Sequence, residues 1–286
     1  MPGCGPVTGL GVGVGLALVS ALCFGLSDFA AGLAARRLHS AVVVLLGQIC
    51  GVTLIALLAI PVANPNVTAA ALAWGALSGI GTGLGAAFLF QAMKIGRFSL
   101  VVPLSDVAGV AIPVVIGVAL LHDRLSWWAW AGFLIAGPAI WLMTSGHGSR
   151  TGPAAGAGWA LLSGAAFALQ YVALARADAA AGLWPLALNR LVAVLTVAPI
   201  AVRRDRLRMR RRTALLAVAS GLLGTSAIAA FMLASRMQAL SVAVVLTSLY
   251  PAVTVLLGLT LLHERITRRQ VAGLVCATAT VVLVSL

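Results

Sequence analysis

One ten-residue pattern occurs twice in the chain, as GVALLHDRLS at residues 117–126 and as GLTLLHERIT at residues 258–267. The same shift that lays Gly117, Leu120, Leu121, His122 and Arg124 on Gly258, Leu261, Leu262, His263 and Arg265 also sets Asp123 on Glu264, Leu125 on Ile266, Ser126 on Thr267 and Gly132 on Gly273. Leucine matches are cheap in an apolar chain, but a His-acid-Arg-aliphatic-hydroxyl run repeated at one offset is not. Near the start of each half, Ser20 and Phe24 fall on Ser163 and Phe167 at almost the same separation. The chain reads as a duplication, and the segments between the copies decide the fold.

Those segments are apolar runs broken by short polar or basic punctuation. They predict ten helices: Val7–Ala34, Ala41–Ala63, Ala69–Met93, Phe98–Leu121 and Trp127–Thr144 in the first half, then Ala154–Ala175, Leu183–Val202, Thr213–Ser235, Leu240–Leu262 and Gln270–Leu286 in the second. The stretch from Ser145 to Pro153 is the most linker-like in the chain, and it divides the sequence into units 1–147 and 148–286. Loops this short make successive helices antiparallel neighbours. Five helices per copy is an odd number, so the second copy inserts with the opposite orientation. The predicted fold is an all-α polytopic membrane protein of ten transmembrane helices in two inverted five-helix repeats, the pattern of secondary transporters with a site between the halves.

Composition agrees. Of 286 residues, 62% are apolar, 31 are glycine and 9% are charged. That is about 208 apolar or glycine positions, against roughly 200 for ten spans of about 20 residues each. A soluble enzyme, a disordered chain and a disulfide scaffold are excluded. The net charge of +13 is concentrated in loops, with seven arginines between Arg203 and Arg212. This reads as topology signalling, with contact to anionic headgroups a secondary role, and not as nucleic-acid binding. The odd-numbered loops hold 15 lysines and arginines and the even-numbered ones three, which places both termini on one side, periplasmic or extracellular. The four cysteines show no paired spacing and read as small buried hydrophobes. Arg36 is the first basic residue and Leu22 precedes Cys23, so the first helix is expected to stay in the mature protein.

Charges inside a bilayer are expensive and mark function. Asp28 and Asp106 each lie eight residues from a helix end on the same face, about 12 Å deep at 1.5 Å per residue, and each follows a serine, Ser27 or Ser105. Gln170, Tyr171, Asn189 and Arg190 lie roughly 8 to 10 Å in from the opposite face, with Gln170-Tyr171 at the repeat position of Ser27-Asp28. For Asp28 two readings stand: a contact to a substrate ammonium or proton site, or a carboxylate hydrogen-bonded at a helix break. Asp106 has the same pair of readings, since Pro103 and Pro113 on its helix could demand a local polar partner. Arg190 reads as a carboxylate clamp, as a counter-ion to Asp28, or as a side chain snorkelling to the interface. Gln91, Gln48 and Tyr250 are weaker candidates, of the kind that usually form interhelical hydrogen bonds. The His-acid-Arg motifs read as structural, with Ser126 or Thr267 capping the next helix and the acid approaching that helix end. The glycines at 75, 79, 81, 83 and 85 read as a small face for close helix packing. No catalytic constellation or metal cluster is visible, so neither an enzyme nor a cofactor is expected.

Three stretches together resemble a known family: Gly96-Arg97-Phe98-Ser99-Leu100-Val101-Val102-Pro103-Leu104, the run to Leu120-Leu121-His122-Asp123-Arg124, and Tyr250-Pro251-Ala252-Val253-Thr254 leading to His263-Glu264-Arg265. They resemble the EamA-like family of ten-helix carriers in the drug/metabolite transporter superfamily, with one family repeat in each half. The resemblance implies an inner-membrane secondary transporter working by alternating access. Its cargo would be a small metabolite, amino acid or drug-like solute, usually exported, with protons as the coupling ion in some members. It implies termini on the cytoplasmic side, against the charge count. Arg190 matches an arginine common early in the second helix of a repeat, where the first copy has Gly47-Gln48. Expected partners are the solute, protons and the lipid bilayer, with the chain a monomer or homodimer. The alternative is a lipid-handling flippase of the same fold.

Overall fold

The computed structural model describes residues 6–59, 67–121, 126–144, 156–204, 210–237, 240–247 and 249–284. Among them the regular structure is helical throughout: α1 (Pro6–Ala35), α2 (Ser40–Ala59), α3 (Ala69–Ile95), α4 (Phe98–Leu121), α5 (Trp127–Thr144), α6 (Ala157–Ala175), α7 (Trp184–Arg204), α8 (Arg211–Met237), α9 (Leu240–Thr247), α10 (Tyr250–Leu261) and α11 (Arg268–Val284), with one 3-10 turn at Ala179–Ala181. Six stretches in α1, α2, α3, α6, α7 and α8 are long and apolar enough to cross a membrane. The predicted turn at Asn64-Pro65-Asn66, the Ser145–Pro153 linker, the motif residues 122–124 and the centre of the arginine loop lie outside the described residues.

The ninth predicted helix differs from expectation. The single run Leu240–Leu262 is two helices, α9 and α10. Pro251 occupies the first turn of α10. Proline has no N–H to donate to the preceding turn and its ring clashes with the carbonyl four residues back, so the ladder of α9 cannot run on into α10.

Helix pairing follows the duplication. α1 packs on α8 as α6 packs on α3; α3 packs on α7 as α8 packs on α2; α4 packs on α6 as α9 and α10 pack on α1. The pairs α2 with α7, α5 with α11 and α4 with α10 map onto themselves. Exchanging the two halves leaves this set of helix pairs unchanged.

Close approach of backbones replaces large side chains as the packing device. A Cβ on Gly75 would lie 2.5 Å from the Pro185 carbonyl oxygen, and one on Gly81 would lie 2.6 Å from that of Ala166. Gly75, Gly79 and Gly83 therefore face α7, while Gly81 and Gly85 face α6. A stripe of small residues on each side lets α3 seat two helices of the other half.

The second copy of the motif clasps the first half. Its carboxylate does not approach α11 as expected; Glu264 accepts from the N–H groups of Phe98 at 3.0 Å and Ser99 at 3.0 Å, and from the Ser99 hydroxyl at 2.7 Å, and so caps α4. Arg36 stands 3.7 Å from the same carboxylate and 4.5 Å over the Phe98 ring. His263, at φ 52°, turns the chain back, and the missing side chain of Gly258 leaves room for the carboxylate. Arg97 reaches across to the Arg265 carbonyl. The start of α11 is capped as expected by Thr267, whose hydroxyl accepts from the Gln270 N–H at 3.3 Å while the Gln270 side chain accepts from the Thr267 N–H at 3.0 Å.

Candidate functional site

Four polar side chains from four helices converge between the halves. Asp28 on α1 and Asp106 on α4 lie within electrostatic reach of each other, and Tyr171 on α6 and Tyr250 on α10 interact with both carboxylates. The Tyr250 hydroxyl donates to Asp106 Oδ1. Asp106 Oδ2 is buried and has no hydrogen-bond partner. Tyr171 is half exposed, with a relative accessibility of 50%, so the centre is not sealed on that side. Phe24, one helical turn before Asp28, lays its ring against Tyr250 at 5.7 Å between centroids.

The first half thus supplies two carboxylates and the second half two phenols. Tyr171 occupies the repeat position of Asp28, and Tyr250, on the repeat counterpart of α4, meets Asp106 directly. Two carboxylates so placed repel one another unless a cation stands between them, and a proton or an ammonium group relieves that repulsion. The phenols donate hydrogen bonds and offer aromatic faces to a cation.

Arg190 is not the counter-ion of Asp28. Its Nη1 donates to Gln48 Oε1 at 2.9 Å, across the contact of α7 with α2. The arginine lies six residues into α7, and the helix it packs on presents the Gln48 amide where a carboxylate would be needed for an ion pair.

The other predicted residues fall into two groups. Ser27, Ser105 and Asn189 are engaged in helix-to-helix bonds. Ser27 donates to the Ser220 carbonyl at 2.8 Å; Ser105 donates to Ser163 at 3.0 Å, which passes its own proton to the Gly85 carbonyl at 2.8 Å; Asn189 donates to Ser78 at 2.7 Å and Thr82 at 2.8 Å. These bonds tie α1 to α8, α4 to α6 and α3, and α7 to α3. Gln170 is half-buried with its Oε1 unpartnered, and Gln91 is half-buried near the end of α3. Phe24 was legible only in part, since its spacing from Asp28 puts both on one face of α1. The role of Tyr250 needs the third dimension, because its partner is 144 residues away. Among the described residues no group of three or more His, Cys, Asp or Glu could hold a metal ion. On the loop face, Arg37, Leu38, Arg210 and Thr213 line a basic cavity of about 400 Å³.

Comparison with known proteins agrees with this architecture. A solved crystal structure, described only as that of a protein, is similar over 95% of this chain and 95% of its own, at 14% identity and a TM-score of 0.59; the likeness is one of fold. No curated protein matches the chain. Residues 154–286 match the model of the EamA-like transporter family. In a polytopic helical frame with a polar centre between its halves, the second half of this multi-pass membrane protein is thus similar to the EamA-like transporter family.

Proposed function

We propose that the chain is a secondary transporter that exports a small metabolite, amino acid or drug-like solute across the cytoplasmic membrane by alternating access. Residues 1–147 act as the first EamA-like repeat and residues 148–286 as the second, inverted one, and the polar centre between the halves is where solute or coupling proton binds. The observation that carries this reading is the convergence of Asp28, Asp106, Tyr171 and Tyr250 from α1, α4, α6 and α10. Buried carboxylates in a bilayer are costly unless a cation, a proton or a donor meets them, and only one of the four carboxylate oxygens here, Asp106 Oδ1, is held by Tyr250. The loops with most arginines face the cytoplasm, which puts both termini outside.

Purified protein is screened against amino acids, metabolites and drug-like solutes for a raised melting temperature, because a ligand that binds only the folded state stabilises it. Solutes that bind are then followed by counterflow in proteoliposomes. Asp28→Asn and Asp106→Asn are expected to abolish counterflow while the protein stays monodisperse in detergent. Full activity in both variants sinks the role of the carboxylates. Movement of a labelled lipid without saturable solute counterflow favours the flippase instead.

A further inference from the structure

Arg190 is charged, lies within a spanning helix and has no carboxylate paired with it among the described residues, where the ion pair is Arg36 with Glu264. Its bond to Gln48 uses Nη1, the nitrogen on the Cδ side of the guanidinium. The opposite edge, formed by Nε and Nη2, is the one that presents two parallel N–H groups to a carboxylate. Nε on that edge is buried with no hydrogen-bond partner. Gly51 lets α2 approach on the other side of the guanidinium: a Cβ there would stand 3.2 Å from Thr225 Oγ1, 3.7 Å from Arg190 Cδ and 3.9 Å from Gln48 Oε1, so the close packing falls on the Nη1 side and not at the Nε edge. A buried positive charge with a free fork edge and no fixed anion is incomplete without an anion from elsewhere.

The position in the fold is as telling as the chemistry. Arg190 and Gln48 are 142 residues apart and lie on α7 and α2, a helix pair that maps onto itself when the halves are exchanged. The motif copies and the Ser20/Phe24 match set the repeat offset on either side of that separation, so the two residues are repeat equivalents that meet where the halves pack together. A group held there is touched by both halves.

We propose that Arg190, supported by Gln48, binds the carboxylate group of the transported solute, with the Nε and Nη2 edge as its receptor. The word "transported" rests on the transporter reading above; the carboxylate site does not. Gln48 is a positioning residue: by accepting from Nη1 it fixes the plane of the guanidinium and leaves the Nε edge unengaged.

The test uses the full-length protein in detergent and four matched probe pairs at equal ionic strength: acetate and acetamide, hexanoate and hexanamide, benzoate and benzamide, leucine and leucinamide. At least one carboxylate is expected to raise the melting temperature saturably where its amide does not. Arg190→Gln should melt at or above the unliganded wild type, since it removes an unpaired buried charge, and should lose the response. Arg190→Lys, which keeps the charge and loses the fork, should need at least tenfold more probe, and it carries the comparison if Arg190→Gln does not fold. No carboxylate acting above its amide, or an undiminished response in both Arg190 variants, overturns the proposal. Arg190-dependent stabilisation without counterflow of that solute overturns the transporter reading alone; counterflow that is indifferent to Arg190→Gln overturns the carboxylate site alone.

Discussion

Glu264 satisfies two amide donors and a hydroxyl at the start of α4 and stands beside Arg36, so one side chain from the second half holds two helices of the first. A capping carboxylate at a helix start is worth about 0.5–2 kcal/mol. Glu264→Gln is therefore expected to lower the melting temperature by a few degrees, and Gly258→Ala to reproduce the effect, because its Cβ would stand 2.9 Å from Glu264 Oε2. The two changes remove the same contact, so the double variant should fall short of their sum; full additivity in a thermal melt would separate them. At the polar centre, Tyr250→Phe deletes the donor to Asp106 while keeping the ring against Phe24. Counterflow should drop at least tenfold with the fold intact, read by transport assay beside size-exclusion chromatography.

At the scale of elements, the helices of this chain are legible because apolar runs and basic punctuation alternate so regularly. The break between α9 and α10 was not, since no charged residue interrupts Leu240 to Leu262 and only Thr247, Ser248 and Pro251 mark it. Glycines separate in the same way into those that matter and those that do not. On α3, Gly75 faces backbone of α7, and Gly75→Leu should destabilise by about 1–3 kcal/mol through overpacking. On α6, Gly158 has nothing within 4 Å of where its Cβ would be, and Gly158→Ala should leave the melting temperature unchanged or raise it, by up to about 1 kcal/mol in helix propensity. Thermal melts of the two variants side by side check the pair, and a similar response in both would contradict the packing assigned to α3.

For the whole molecule, apolar runs broken by short polar loops carried the all-helical polytopic reading, and the helix pairs that exchange between the halves are in keeping with the duplication. Depth along a helix brought Asp28 and Asp106 to one level, yet it could not say which of several amides and phenols would stand beside them. Tyr250 and Gln48 gained their places from packing across the halves, at separations of 144 and 142 residues. The charge asymmetry predicts that a cysteine placed in the loop between α7 and α8 reacts with an impermeant thiol reagent only from the cytoplasmic side. Labelling from the outside in intact cells would reverse the orientation.

The pairing of Arg190 with Gln48 across the halves also limits how such a molecule could be assembled. A dimer of identical five-helix chains would have to present the same residue on both sides of its symmetry axis: two arginines, whose charges repel, or two glutamines, which hold none. Joining the halves in one polypeptide lets the two positions differ, and a single positive charge between them is a property that a dimer of identical chains cannot have.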